Sequence, residues 1–114
     1  MPMDLLTRSD RSFEVLLHTL PGTRYGMEAR WYQLGPFAER LDALAEYEAL
    51  CRDFPPGTLV VPVLVAVVHD DATGLYRDRI LEARGRAPLI RREGMLHLST
   101  PERRRLIAAA AAPR

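Results

Sequence analysis

Cys51 is the sole cysteine of the 114-residue chain, so its thiol can act as a nucleophile or a ligand but cannot close an intramolecular disulfide. His18, His69 and His97 are the only other side chains suited to proton transfer near neutral pH, and their scatter matches no metal-binding spacing. Asp70, Asp71 and Asp78 are close in sequence but lack the glycine-and-carboxylate spacing of a calcium loop, which makes them turn and capping residues. No Ser-His-Asp arrangement, phosphate-binding loop or dinucleotide fingerprint is present. The expected cofactor complement is therefore none.

Arginine is the remaining chemistry. All sixteen basic residues are arginine, and lysine and asparagine are absent. The distribution is dipolar: residues 1–76 hold six arginines and eleven acids, residues 77–114 ten arginines and four acids. Arg77, Arg79, Arg84, Arg86, Arg91 and Arg92, with Arg103 to Arg105, could form a face that engages phosphates of a nucleic acid. The interleaved Asp78, Glu82, Glu93 and Glu102 favour an ordinary solvated surface instead. Trp31, Tyr32 and Phe37 form an aromatic group suited either to binding or to a core.

Phe13, Leu16, Leu17 and Leu20 recur at helical spacing after Ser9-Asp10, and Pro21-Gly22 stops them, which predicts a first helix. From Arg24 to Leu34 the period is two, with Tyr25, Met27, Ala29 and Trp31 on one face and Glu28, Arg30 and Tyr32 on the other, as in a strand. After Gly35-Pro36, the residues Phe37, Leu41, Leu44, Tyr47, Cys51 and Phe54 predict a second helix, closed by Pro55-Pro56-Gly57. Leu59 to Val68 is apolar and valine-rich, a strand covered on both faces, although Pro62 lacks a ladder donor and argues for a sheet edge or a bulge. The turn from His69 to Gly74 leads into Leu75 to Arg84, which is expected to be helical with Gly85 as its stop. Ala87 to Arg92 and Met95 to Ser99 flank Glu93-Gly94 as a hairpin. Ser99, Pro101 and Glu102 supply the cap and first turn of a last helix.

The predicted order is α-β-α-β-α-β-β-α in one α/β domain over residues 1–114, with 107–114 expected to fray. No apolar run approaches the ~20 residues a membrane span needs, so a soluble, cytoplasmic chain without a membrane partner is expected. Pro62 at an exposed edge would offer a place for homodimer pairing.

Three stretches in this order resemble the thioredoxin-like superfamily. Leu6 to Phe13 is similar to its "LT..SF" opening, Ala29 to Phe37 (ARWYQLGPF) to FWAEWCGPC, and Arg84 to Pro88 (RGRAP) to RGIP with its cis-proline. Together they span about Leu6 to Leu106. The resemblance implies a mixed four- or five-stranded sheet with helices on both faces. It places the family's two cysteines on Leu34 and Phe37, with Gly35-Pro36 between them, so dithiol oxidoreductase activity is not expected. Glu28 takes the place of the family's buried acid, which without a thiol partner pairs with Arg30 or Arg24. A cis Ala87-Pro88 bond would turn the Ala87 backbone toward an extended peptide.

The resemblance therefore implies a non-redox domain that binds a protein or peptide in a chaperone or assembly role. Its groove would be Trp31, Tyr32, Leu34, Gly35, Pro36 and Phe37, facing Arg86, Ala87 and Pro88, with apolar residues where the thiols were. Two alternatives stand beside it: a thiol-dependent enzyme using Cys51, about 20 Å from Phe37 along an uninterrupted helix, and a nucleic-acid-binding module using the arginine-rich C-terminal half.

Overall fold

The computed structural model describes residues 8–21, 28–85 and 89–111. Five strands and two helices follow in the order β1 (Arg8–Thr19), β2 (Arg30–Phe37), α1 (Arg40–Asp53), β3 (Val60–Asp70), β4 (Leu75–Ala83), β5 (Leu96–His97) and α2 (Thr100–Ala110). They form one mixed sheet in the order β4-β3-β1-β2-β5. This overturns the thioredoxin-like architecture: β1 lies at the centre, antiparallel to both β2 and β3, and two of the elements expected to be helices are strands.

The first correction is β1. Val15, Leu16 and Leu17 are all within 1% of complete burial, because β1 is paired on both edges and covered on both faces. A strand in that position loses its period-two signal, and the leucine spacing then imitates a helix. The second is β4, which pairs antiparallel with β3 from Val63↔Ala83 to Asp70↔Leu75 around the Asp71–Gly74 turn. Its sequence LYRDRILEA has helix-forming composition, but pairing with the valine-rich β3 overrides local propensity.

The expected hairpin after Gly85 is also absent among the described residues. Glu93-Gly94 does turn the chain, with the Met95 amide donating to the Arg92 carbonyl at 3.1 Å. Arg91 and Arg92, however, are not in a strand, and Leu96–His97 pairs in parallel with Tyr32 and Gln33 of β2. Nor is Pro62 at a sheet edge. It is buried and opposite Leu17 of β1, at the point where β4 has ended and only the Arg84 amide reaches its carbonyl, at 3.2 Å. The missing donor thus points where the ladder has run out.

Both helices cover the same face of the sheet, contrary to the expected helices on both faces. Ala43, Tyr47 and Leu50 of α1 and Leu106 of α2 join Val15, Leu17, Tyr32, Val60 and Leu64 in the main core. Helix α1 begins at Arg40 rather than before Phe37, and its buried stripe is rotated from the expected one, leaving Leu41 76% exposed. Helix α2 starts as its sequence predicts, the Ser99 hydroxyl accepting from the Glu102 amide at 3.3 Å. On the opposite face a smaller cluster of Leu16, Trp31, Val63 and Val65 is covered by Ile90 and Met95. No helix among the described residues is long and apolar enough to cross a membrane.

Candidate functional site

Strand β2 carries most of the residues expected to form a groove, but alternation sends them to opposite sides of the sheet. Trp31 lies in the smaller cluster, while Tyr32, Leu34 and Phe37 pack into the core under the helices. Gly35-Pro36 remains within the strand, and its peptide bond is cis. Arg86, Ala87 and Pro88 lie outside the described residues, and so does the expected cis bond before Pro88.

Three arginines of the arginine-rich half are bonded to carboxylates within the molecule. Arg92 reaches across the second face to β1 and β4, its Nη1 2.7 Å from Glu14 Oε1 and its Nε 2.9 Å from Asp78 Oδ2. Arg103 ties α2 to the end of α1, with Nη2 2.8 Å from Asp53 and a further contact to Glu46. Arg105 binds Glu102 one turn earlier on α2. Each of these charges is met by a carboxylate, which weakens its pull on a phosphate.

Cys51 is half-buried on α1, beside the Tyr47 hydroxyl. Burial first, and the neighbouring thiol second, push Tyr47 well above the ordinary phenol value. His69 faces Asp71 at 2.8 Å in the β3–β4 hairpin, and His97 is exposed on β5, so neither stands near Cys51 as a general base. No group of three histidines, cysteines or carboxylates among the described residues could hold a metal ion.

Two cavities have the shape of a site. One, of about 300 Å³, is polar and lies between β2 and α2, lined by Thr19, Glu28, Arg30, Tyr32, Glu102, Arg105 and Leu106. Its groups satisfy one another. The Thr19 hydroxyl donates to the Glu28 carbonyl at 2.6 Å and accepts from the Arg30 amide at 3.0 Å, Arg30 pairs with Glu28 at 2.9 Å, and the Tyr32 hydroxyl donates to Glu102 at 3.1 Å. The Arg105 guanidinium holds the Glu102 carboxyl below its ordinary range. These bonds fasten α2 to the sheet and leave little unmet demand.

The second is a half-open cleft of about 480 Å³ where β1 ends and β3 begins, lined by His18, Leu20, Pro55, Pro56, Gly57, Thr58, Val60, Val61, Arg84 and Gly85. Sequence reasoning missed it because the lining comes from three separate stretches with no motif among them. Its wall is built by simple means. The Leu20 amide donates to the Leu59 carbonyl at 2.8 Å, extending the β1–β3 ladder, and the Thr58 hydroxyl and amide both bind the Pro55 carbonyl, closing a turn that two prolines stiffen.

Arg84 and His18 are the cleft's ionisable side chains among the described residues. Arg84 leaves β4 and crosses to the end of α1, Nη1 donating to the Phe54 carbonyl at 3.0 Å and Nη2 to the Cys51 carbonyl at 2.7 Å. It thereby satisfies carbonyls that the helix leaves without partners and lies at the negative end of the helix dipole. His18 stacks on Trp31, and its Nδ1 is buried without a hydrogen-bond partner among the described residues. Burial pulls the imidazole below its ordinary value, so it is neutral at pH 7.

Comparison with protein-family models, with curated proteins and with solved structures finds no match to this chain.

Proposed function

We propose that this chain is a binding module whose cleft at the β1–β3 end receives the apolar body of a small molecule. The observation that carries this reading is a cavity of about 480 Å³ with predominantly apolar walls and three polar side chains, His18, Thr58 and Arg84, among its described lining, the composition and size of ordinary small-molecule sites. Removing apolar ligand surface from water supplies the affinity, at about 25 cal/mol per Å². Arg84 and His18 supply orientation. The proline-stiffened turn and the β1–β3 ladder hold the walls in place before binding, so little ordering is required of them.

Titration with the neutral fluorophore phenylnaphthylamine tests the reading, with Trp31 as the built-in donor, since it is the only tryptophan and is stacked on a cleft residue. Saturable energy transfer from Trp31 at one probe per chain is the expected result. Thr58→Phe, which puts a ring into the cleft mouth from a turn position, should weaken it at least fivefold while leaving the circular dichroism spectrum unchanged. Non-saturable binding, or equal binding by Thr58→Phe, would remove the cleft from consideration.

A further inference from the structure

We infer that the ligand of this cleft carries an anionic group, a carboxylate or sulfonate, bound at the Arg84 end; the inference rests on the cleft reading above and names its ligand class. Arg84 differs from Arg92, Arg103 and Arg105 in the character of its partners. Arg92, Arg103 and Arg105 all meet carboxylates, whereas Arg84 meets only the two backbone carbonyls of Cys51 and Phe54. The carbonyl dipoles at the end of α1 offset only part of a guanidinium's charge, and Glu82, which with Arg84 acts on Tyr47, forms no ion pair with it among the described residues. A net positive charge therefore remains in the cleft wall.

The guanidinium has five N–H donors in a fixed fork, and the two carbonyls occupy two of them. The rest can meet a second acceptor, and the pairing of this fork with a planar anion is geometrically favourable. Nothing else in the lining competes. Among the described residues no acid lines the cleft. His18 is the other titratable side chain of that lining, and burial lowers its affinity for a proton, so Arg84 is the group that sets the charge of the site. An apolar wall beside a cation with no carboxylate partner selects an amphipathic anion over a neutral compound of the same shape, and rejects a cation.

The test compares two probes with the same ring system, anilinonaphthalene sulfonate and the neutral phenylnaphthylamine, on the full chain. The wild type should bind the sulfonate about tenfold or more tightly than the neutral probe, as expected for one charged hydrogen-bonded pair. Arg84→Met should remove that preference while retaining affinity for the neutral probe, and Arg84→Lys, which keeps the charge, should restore most of it. Equal affinities in the wild type, or a sulfonate preference that survives Arg84→Met, would overturn the anionic assignment and leave the apolar cleft intact. Failure of both probes to bind the wild type saturably would overturn the cleft itself. The wild-type ratio needs no variant, so instability of Arg84→Met would leave the comparison decisive.

Discussion

The His18 imidazole lies flat on the Trp31 indole, with ring centroids 4.3 Å apart and planes 9° from parallel. The two residues are opposite each other on β1 and β2, so the stack is a cross-strand pair on the sheet face that the helices leave uncovered. It also divides two cavities: the apolar cleft on one side and, on the other, a smaller one of about 330 Å³ lined by Ala29, Trp31, Leu89 and Arg91.

That position makes His18 an acid-sensitive element. Burial lowers its folded pKa below the ordinary imidazole value of about 6.5, so the unfolded chain takes up the proton first as pH falls. Stability is complete above about pH 6.5 and declines as pH drops through 6.5 toward the lower folded value. Arg84 lines the cleft with His18, and Arg91 the smaller cavity. His18→Phe keeps an aromatic ring on Trp31 and removes the titration. Its Tm should therefore fall less than that of the wild type between about pH 7 and about pH 5.5, and parallel losses would show that His18 is not responsible.

A second expectation concerns Arg92, which joins the segment after Gly85 to both β1 and β4. The Glu14 and Asp78 side chains are only 12% and 15% exposed, and the Arg92 guanidinium bonds both carboxylates. Arg92→Met leaves two poorly hydrated carboxylates facing each other's field, a cost of about 2–3 kcal/mol. Changing them as well, in Arg92→Met/Glu14→Gln/Asp78→Asn, should return at least half of that loss in chemical denaturation. A triple variant no better than the single one would mean that the loss came from packing of the arginine stem.

The contrast between β3 and β1 shows how far this fold could be read from its sequence. The run from Val60 to Val68 is legible because β-branched residues bounded by Pro-Pro-Gly and a turn admit one interpretation, and Ser99-Thr100-Pro101-Glu102 marks the start of α2 just as plainly. Strand β1 is equally buried, but its leucines carry no branching signal, and Phe13, Leu16, Leu17 and Leu20 satisfy the helical period as well as a doubly covered strand. The thioredoxin resemblance then lent that helix support, since order and short matches cannot see which strand is central. For the site the obstacle was different. His18 to Leu20, Pro55 to Val61 and Arg84-Gly85 converge only after β1 and β3 pair, and Arg84 sat inside a charge run whose other members face carboxylates.

A third expectation follows from Tyr32, whose ring is 1% exposed in the core while its hydroxyl donates to Glu102 at 3.1 Å. Tyr32→Phe preserves the ring packing and removes one hydrogen bond to a charged acceptor, about 1–2 kcal/mol. Arg105 first, and Tyr32 after it, hold the Glu102 carboxyl below its ordinary range. A depressed carboxylate stabilises the fold above its unfolded pKa, and its contribution is lost as pH falls through the lower folded value. The gap between wild type and Tyr32→Phe should consequently narrow below about pH 4. A constant gap down to about pH 3 would mean that the hydroxyl acts through something other than the Glu102 carboxylate.

The last expectation concerns Gly35, the residue within β2 that the family resemblance would have placed between two thiols. Its φ is +115°, a region that residues with a Cβ rarely occupy. A Cβ added there would lie 3.0 Å from Phe37 Cδ2 and 3.2 Å from the Phe13 carbonyl oxygen. The phenyl ring can shift, but the carbonyl belongs to β1 next to the irregularity between Phe13 and Val15, where the ladder would have to move with it. Backbone strain and contact act together, so Gly35→Ala should lower stability by about 2–3 kcal/mol in denaturant unfolding. The equivalent change at Gly57, which also has positive φ but no atom within 4 Å of the added Cβ, carries the strain alone and should cost about 1 kcal/mol. Equal losses at the two positions would show that conformation, and not the close approach of β1 to β2, fixes glycine at residue 35.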